Sequence, residues 1–299
     1  MVGKRDHRHE LDLDSPSPAR VYDYFLGGGY NFAADREMAR RLLAVKPDIA
    51  ETMRANRAFL RRAVGFLLDA GVRQFLDLGS GIPTVGNVHE LAHRRVPEAR
   101  VVYVDIDPVA VAHSSAMLAD NPNAAVVAED LCDAEAVLVH PVVGRLLDFT
   151  EPVAVLVVGV LHHLPGARSL QAVRRYRDAM IPGSYLALSQ VTPDGLRSEE
   201  TEQLKATYNG GYAAGTDLMT LRTHAEVMAF FDGFDLVDPG LVFLAQWRPE
   251  IVLDEPERAA AVRCRTAAAS EPVRPDAPAR PGTAEIRESG GRGRAAGVR

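Results

Sequence analysis

Lysine is almost missing from this chain: Lys4, Lys46 and Lys205 are the only ones among 34 basic residues. Arginine therefore carries the positive charge, and 40 acidic residues leave a formal net charge of −6. That balance gives no overall field to hold the phosphates of DNA or RNA, whose binding rests on basic side chains, so a nucleic-acid partner is not expected. Cysteine is scarcer still. Cys132 and Cys264 are the only two, too few and too far apart for a disulfide framework or a metal cluster, and no metal centre is expected. Long apolar runs are also lacking. The longest, 153–161, is well short of a bilayer span, and the polar start MVGKRDHRHELDLD lacks the apolar stretch of a secretion signal. The expected setting is the reducing cytoplasm, without membrane contact.

What is present suits a globular protein. The chain has 299 residues, 47% hydrophobic and 25% charged, enough for one large α/β domain or two small ones. It shows no internal repeat. Residues 1–14 read as a flexible polar leader. Residues 15–70 read as a helical extension. Within it, 51–70 carries Leu60, Val64, Leu67 and Leu68 on one face, Arg54, Arg57, Arg61 and Arg62 elsewhere, and Gly71 at its end. That arginine set reads as a solvated face or a small anion-binding surface.

From residue 72 short apolar runs alternate with amphipathic segments. Runs at 72–78, 101–105, 125–128, 153–159 and 185–190 read as strands buried on both faces. Helical patterns fall near 87–96, 108–119, 134–147 and 168–180, which predicts a parallel sheet with helices on both sides. A further helix near 222–231 precedes two strand-like runs, 234–237 and 241–247. The short turn between these runs suits antiparallel partners. The sheet is expected to finish in an antiparallel hairpin at about residue 253. Residues 254–299, rich in Ala, Arg, Pro and Gly without periodicity, are expected to be a disordered tail.

Four marks lie at the predicted strand ends. The first is Asp77-Leu78-Gly79-Ser80-Gly81, an apolar strand running into two glycines, where a ligand can approach the backbone closely. A dinucleotide loop would place a third glycine where Thr84 stands, so a nucleoside ligand fits better than NAD, and a plain strand-to-helix turn remains the alternative. The second is Asp105-Ile106-Asp107-Pro108: Asp105 ends its strand where a carboxylate meets ribose hydroxyls, while Asp107 reads as the cap of a helix starting at Pro108. The third is Asp130-Leu131. Asp130 can accept from an adenine amino group, and reads equally as a surface acid opening a loop. The fourth is Gly159-Val160-Leu161-His162-His163. Either histidine could act as a general base near neutral pH, or the pair could simply pack.

These marks, together with the Ile181-Pro182-Gly183 turn, resemble class I S-adenosylmethionine-dependent methyltransferases. More narrowly, Pro16–Gly28 (PSPARVYDYFLGG), Asn31-Phe32-Ala33-Ala34-Asp35-Arg36, Asn56-Arg57-Ala58-Phe59-Leu60, Asn87-Val88-His89-Glu90, Asp238-Pro239-Gly240-Leu241 and Trp247-Arg248-Pro249 resemble a bacterial S-adenosyl methyltransferase-like family once known only as a domain of unknown function. The likeness spans roughly residues 15–250. It implies a Rossmann-like three-layer sandwich whose sheet has seven mostly parallel strands, the last antiparallel, over residues 71–253. It implies S-adenosyl-L-methionine as cofactor, held by Gly79, Gly81, Asp105 and Asp130; Asp77, Ser80, Ile106, Leu131 and Gly159, which adjoin these marks, are further candidate cofactor-binding residues. It names no acceptor; a small molecule is expected, with His162 or His163 as the base if the acceptor atom is an oxygen. The N-terminal block, with Arg20, Tyr22, Tyr24 and Phe32 around glycines 27–29, reads as a lid over the cofactor or as packing against the sheet. A catalytically silent binding module and an NAD-dependent oxidoreductase are the competing readings.

Overall fold

The computed structural model describes residues 12–84, 86–212, 219–249 and 264–270, the last as backbone alone. Three helices come first: α1 (Pro18–Phe25), α2 (Ala33–Val45) and α3 (Ile49–Asp69). Proline opens α1, where its missing N–H costs nothing, and Gly71 follows α3 at φ +89, the left-handed turn a glycine takes most readily. The alternating part then runs β1 (Gln74–Leu78), α4 (Val88–His93), β2 (Arg100–Asp105), α5 (Pro108–Met117), β3 (Ala124–Ala128), α6 (Ala134–Val139), α7 (Pro141–Leu146), β4 (Ala154–Val158), α8 (Gly166–Ala179) and β5 (Tyr185–Val191). After it come α9 (Ser198–Gly211), α10 (His224–Met228), β6 (Asp235–Leu236), β7 (Val242–Phe243) and β8 (Cys264–Ser270).

Strands β1 to β5 are parallel, in the order β3-β2-β1-β4-β5. The chain winds outward from β1 in one direction and from β4 in the other. The crevice past the ends of β1 and β4 is therefore the switch point where such sheets take their ligands. Side chains alternate across each strand. Leu76 and Leu78 face a core shared with α6, α7 and α8, where Val143, Val173 and Tyr176 are buried. Phe75 faces the other core, with Phe59, Leu60, Val64 and Leu67 of α3 and with Trp247. Helices thus cover both faces of the sheet, as the sequence predicts.

Three expectations need correction. The sheet has five parallel strands, not seven strands closed by an antiparallel hairpin. The segments expected to form that hairpin are the two-residue strands β6 and β7, and both pair with β8. β8 lies between them and β5, antiparallel to all three, so their backbone groups have no need of each other. The tail expected to be disordered over 254–299 therefore contains a strand at 264–270; its other residues lie outside the described ones. Of the leader expected to be flexible over 1–14, residues 1–11 also lie outside them, while the Asp12 carbonyl accepts from Arg20 at 2.9 Å. The helix expected over 134–147 is two, α6 and α7. Pro141 supplies no N–H to continue the first, and the His140 ring accepts from Val142 N–H at the start of the second.

Candidate functional site

The glycine loop after β1 is held in place by β2. Gly79 and Ser80 donate their N–H groups to the Val104 carbonyl, at 2.8 and 3.2 Å, and Gly81 N–H donates to Asp105 Oδ2 at 2.6 Å. Both glycines have positive φ, +70 and +68, but they serve different ends. A Cβ on Gly79 would come within 2.3 Å of Val160, so this glycine lets two strand ends pass closely. A Cβ on Gly81 would meet nothing within 4 Å, so its side of the loop is open. The hydroxyls of Ser80 and Thr84 are buried and have no hydrogen-bond partner. Unpaired buried hydroxyls beside an open glycine are what a polar ligand would satisfy.

Two carboxylates flank this loop. Asp77 lies on the α3 side of β1; burial pushes its carboxyl up to about 7, with Arg57 drawing it down and Asp105 pushing it further up. Asp105 accepts from Asp107 N–H at 2.8 Å as well as from Gly81. Burial pushes it up to about 6 against the pull of those two donors. Asp107 caps α5, accepting from Val109 and Ala110 at 2.8 and 3.2 Å, and also accepts from the Ser17 hydroxyl. Ile106, between the two acids, is 48% exposed. At the end of β3, Asp130 accepts from Cys132 N–H at 2.8 Å and from Arg168 of α8 at 2.5 Å. Leu131 is buried, and its carbonyl accepts from Tyr176 at 2.9 Å. These bonds tie Asp130 and Leu131 to α8, whereas Asp105 is bonded directly to the glycine loop.

The turn after β4, expected from Gly159, His162 and His163, is supported by Asn56, Ser189 and Arg222, to which sequence reasoning gave no role. Gly159, at φ +73, donates to the Ser189 carbonyl at 3.3 Å. A Cβ there would lie 2.7 Å from Asn56 Nδ2. Asn56 Oδ1 accepts from Ser189 Oγ at 2.6 Å, and its Nδ2 donates to Tyr22 Oη at 3.1 Å. One side chain of α3 thus joins β4, β5 and α1. His162 and His163 follow in a short 3-10 turn, their rings 3.8 Å apart. Arg222 supports this turn from beneath, donating to the carbonyls of Leu161 and Leu164 at 2.7 and 3.1 Å. His162 Nδ1 is buried without a partner; His163 Nδ1 hydrogen-bonds Tyr208 of α9. Burial, then His163 and Arg222, hold His162 well below the usual imidazole range, and burial pushes His163 down to about 4. Both rings are therefore neutral at pH 7.

Both histidines line a cavity whose other walls are mostly apolar. Tyr22, Phe25 and Met53 come from α1 and α3, Leu204 and Tyr208 from α9, and Met219 from the segment beyond it. Tyr22 connects this cavity to the turn after β4, through Asn56. The N-terminal block is fastened by a buried ion pair, Arg20 with Asp35 at 3.1 Å, and Asp35 also accepts from Ser17 N–H at 2.9 Å. Phe32 and Ala19 of this block pack on Ile82, Val109 and Ala110, beside the glycine loop. Tyr24 packs on Phe25 instead, ring centroids 5.9 Å apart. Among the described residues no three His, Cys, Asp or Glu side chains are grouped to hold a metal, and no helix is long and apolar enough to cross a membrane.

A doubly wound sheet with a glycine loop at its switch point, and a family match and solved relatives of the same kind, define a Rossmann-like S-adenosylmethionine-dependent methyltransferase. The chain belongs to the S-adenosyl methyltransferase family, whose model matches residues 4–271. It is similar to a candidate methyltransferase from Thermobifida fusca YX, with 41% identity, a TM-score of 0.82, and coverage of 88% of this chain and 97% of that one. It is similar as well to a DUF574 family protein from Streptomyces avermitilis MA-4680, with 37% identity, a TM-score of 0.82, and coverage of 88% of this chain and 100% of that one. No protein of curated function matches it. The cofactor is S-adenosyl-L-methionine, and the open backbone at Gly81 and the unpaired hydroxyls of Ser80 and Thr84 fit a polar nucleoside ligand. Neither the NAD-dependent nor the catalytically silent reading gains support from these relatives.

Proposed function

We propose that this protein methylates a small, largely apolar acceptor held in the cavity between α1, α3, α9 and the His162-His163 turn. The observation that carries the reading is the placement of two neutral histidines on the wall of an apolar cavity, beside the turn at the end of β4. When bound, S-adenosylmethionine supplies a methyl carbon on a positively charged sulfur. The backbone of Gly79, Ser80 and Gly81 holds its adenosyl part. Asp105 retains lone pairs for the ribose hydroxyls, the exposed Ile106 offers an apolar face to adenine, and Asp130 and Leu131 border the adenine edge. Asp77 accepts from the ammonium of the methionyl end, and Gly159 borders that end while leaving room for Asn56 behind it.

The chain's remaining work is to position the acceptor and take a proton. Holding a lone pair in line with the methyl can supply ~7–11 kcal/mol in well-oriented systems. The helices α1 to α3 exclude water, which strengthens electrostatics inside the site. For a hydroxyl acceptor, the proton passes to the unpartnered Nδ1 of His162. His163, fixed by Tyr208, packs against that ring and keeps it in place.

The test uses S-adenosylmethionine with a radiolabelled methyl, incubated with fractionated cell extract. Label should enter the solvent-extractable small-molecule fraction. Label confined to acid-precipitable protein or nucleic acid would overturn the acceptor class. With an acceptor in hand, His162→Ala should lower turnover about 100-fold or more, the usual contribution of a general base, while calorimetry shows unchanged cofactor binding. Undiminished turnover would remove His162 from the chemistry.

A further inference from the structure

Arg57 is the charged group that the arrangement described above leaves without a task. It stands three residues before Leu60 and seven before Val64, so it shares the helix face that those two bury against the sheet. Its Nε is buried and has no hydrogen-bond partner. On one side lies the Tyr22 ring, its centroid 5.8 Å from the guanidinium carbon. Arg57 also draws the Asp77 carboxyl down, so the two charges act on each other without forming an ion pair. The adjacent Asn56 fixes this stretch of α3 against Ser189, Tyr22 and the Gly159 turn. Arg57 thus follows directly on the residue that meets the turn after β4, and its charge reaches Asp77 in β1.

A buried guanidinium Nε with nothing to donate to is costly to fold. A cost of that kind is removed when a ligand brings an acceptor. We infer that Arg57 is the anchor for a carboxylate, specifically the α-carboxylate of the methionyl end of the cofactor. The inference rests on the glycine loop being the adenosyl site. A cation and an anion near enough to influence each other, yet not paired with each other, match an amino-acid zwitterion, with Arg57 taking the carboxylate and Asp77 the ammonium. The matched charges also fix the direction of the methionyl chain, which runs toward α3 and the Tyr22 wall of the acceptor cavity. Guanidinium suits this role because its planar fork meets both carboxylate oxygens.

The experiment is calorimetry on the full chain and on Arg57→Gln and Arg57→Lys, each first shown to melt as the unaltered protein does. The ligands are S-adenosylmethionine, its decarboxylated form and 5′-methylthioadenosine, which lacks the whole amino-acid end. Arg57→Gln should weaken S-adenosylmethionine about 10- to 100-fold, as expected for a charge-assisted hydrogen bond. It should leave 5′-methylthioadenosine within about twofold and abolish the preference for the carboxylated ligand, the signature of a pairwise interaction. Arg57→Lys should recover part of the loss. Equal affinity of the Gln variant for S-adenosylmethionine would overturn the inference and leave the adenosyl site standing. Equal weakening of all three ligands would overturn it too, by showing that Arg57 only shapes the site. If the unaltered protein bound none of them, the adenosyl reading itself would fall.

Discussion

Asp77 is a carboxyl group in a place that folding alone disfavours. Burial lifts it to about 7 despite Arg57 nearby. An acid whose folded pKa exceeds its unfolded value, here 3.8, binds more protons folded than unfolded between the two. Its cost to stability is therefore absent below about 4, grows as pH rises, and is complete above about 7. Asp77→Asn keeps the shape and removes that cost. The variant should melt several degrees higher at pH 8, with the advantage shrinking toward pH 4; the underlying gain is on the order of a few kcal/mol. The same replacement should weaken S-adenosylmethionine, because the amide cannot meet an ammonium as a carboxylate does. In the unaltered protein that affinity should fall as pH drops below about 7, where Asp77 takes up a proton, and the Asn variant should lose this dependence. Melting curves and calorimetry at pH 5.5, 7 and 8 check both halves. An unchanged melting temperature at pH 8 would mean that the carboxylate is already satisfied without ligand. The glycine loop and its acids were legible because strand, turn and carboxylate are consecutive in the chain. Arg57 was read only as one of four helix arginines that form a solvated face or a small anion-binding surface, and Asn56, Ser189, Tyr208 and Arg222 were given no role in the site, because four distant segments bring these residues together.

At the scale of elements, α3 links the N-terminal helices to the sheet. Its buried face packs on Phe75 and Leu156, and Trp247 closes the far side. Trp247 is fully buried, edge-on to Phe59 at 5.3 Å and to Phe66 at 6.0 Å. Arg62 donates to the carbonyls of Leu244 and Trp247, at 2.7 and 2.9 Å, fastening the segment after β7 to the same helix. Trp247→Ala would open a large void and should destabilise the protein by ~3–5 kcal/mol in urea unfolding. A loss below about 1 kcal/mol would mean that the surrounding rings collapse into the space. The strands β1 to β5 could be read in advance, since a strand buried on both faces leaves a continuous apolar run. The helix α9 left no such trace. Its sequence SEETEQLKATYNGG buries only Leu204 and Tyr208, one pair at helical spacing, too sparse for a periodicity argument. That gap hid the element that brings Tyr208 to His163.

For the molecule as a whole, the decisive element is the one composition argued against. The stretch CRTAAAS offers little apolar area, so its order must come from backbone pairing and not from local preference. β8 supplies that pairing along the full length of β5, from Tyr185 opposite Ser270 to Val191 opposite Cys264. It also gives β6 and β7 their partner. Without it, β5 would be an edge strand with unpaired backbone groups and with Leu186 and Leu188 buried beneath, the arrangement that invites aggregation. β8 thus belongs to the sheet although it lies past residue 253, where the fold was expected to end, and the family match runs on to residue 271. A chain ended after Pro249 should be insoluble or melt without cooperativity. A chain ended after Glu271 should keep the melting temperature and S-adenosylhomocysteine affinity of the full protein. If the shorter chain melted like the full one, β8 would be dispensable and the sheet would be complete at β5. If the longer chain failed as well, residues 272–299 would carry part of the fold's stability.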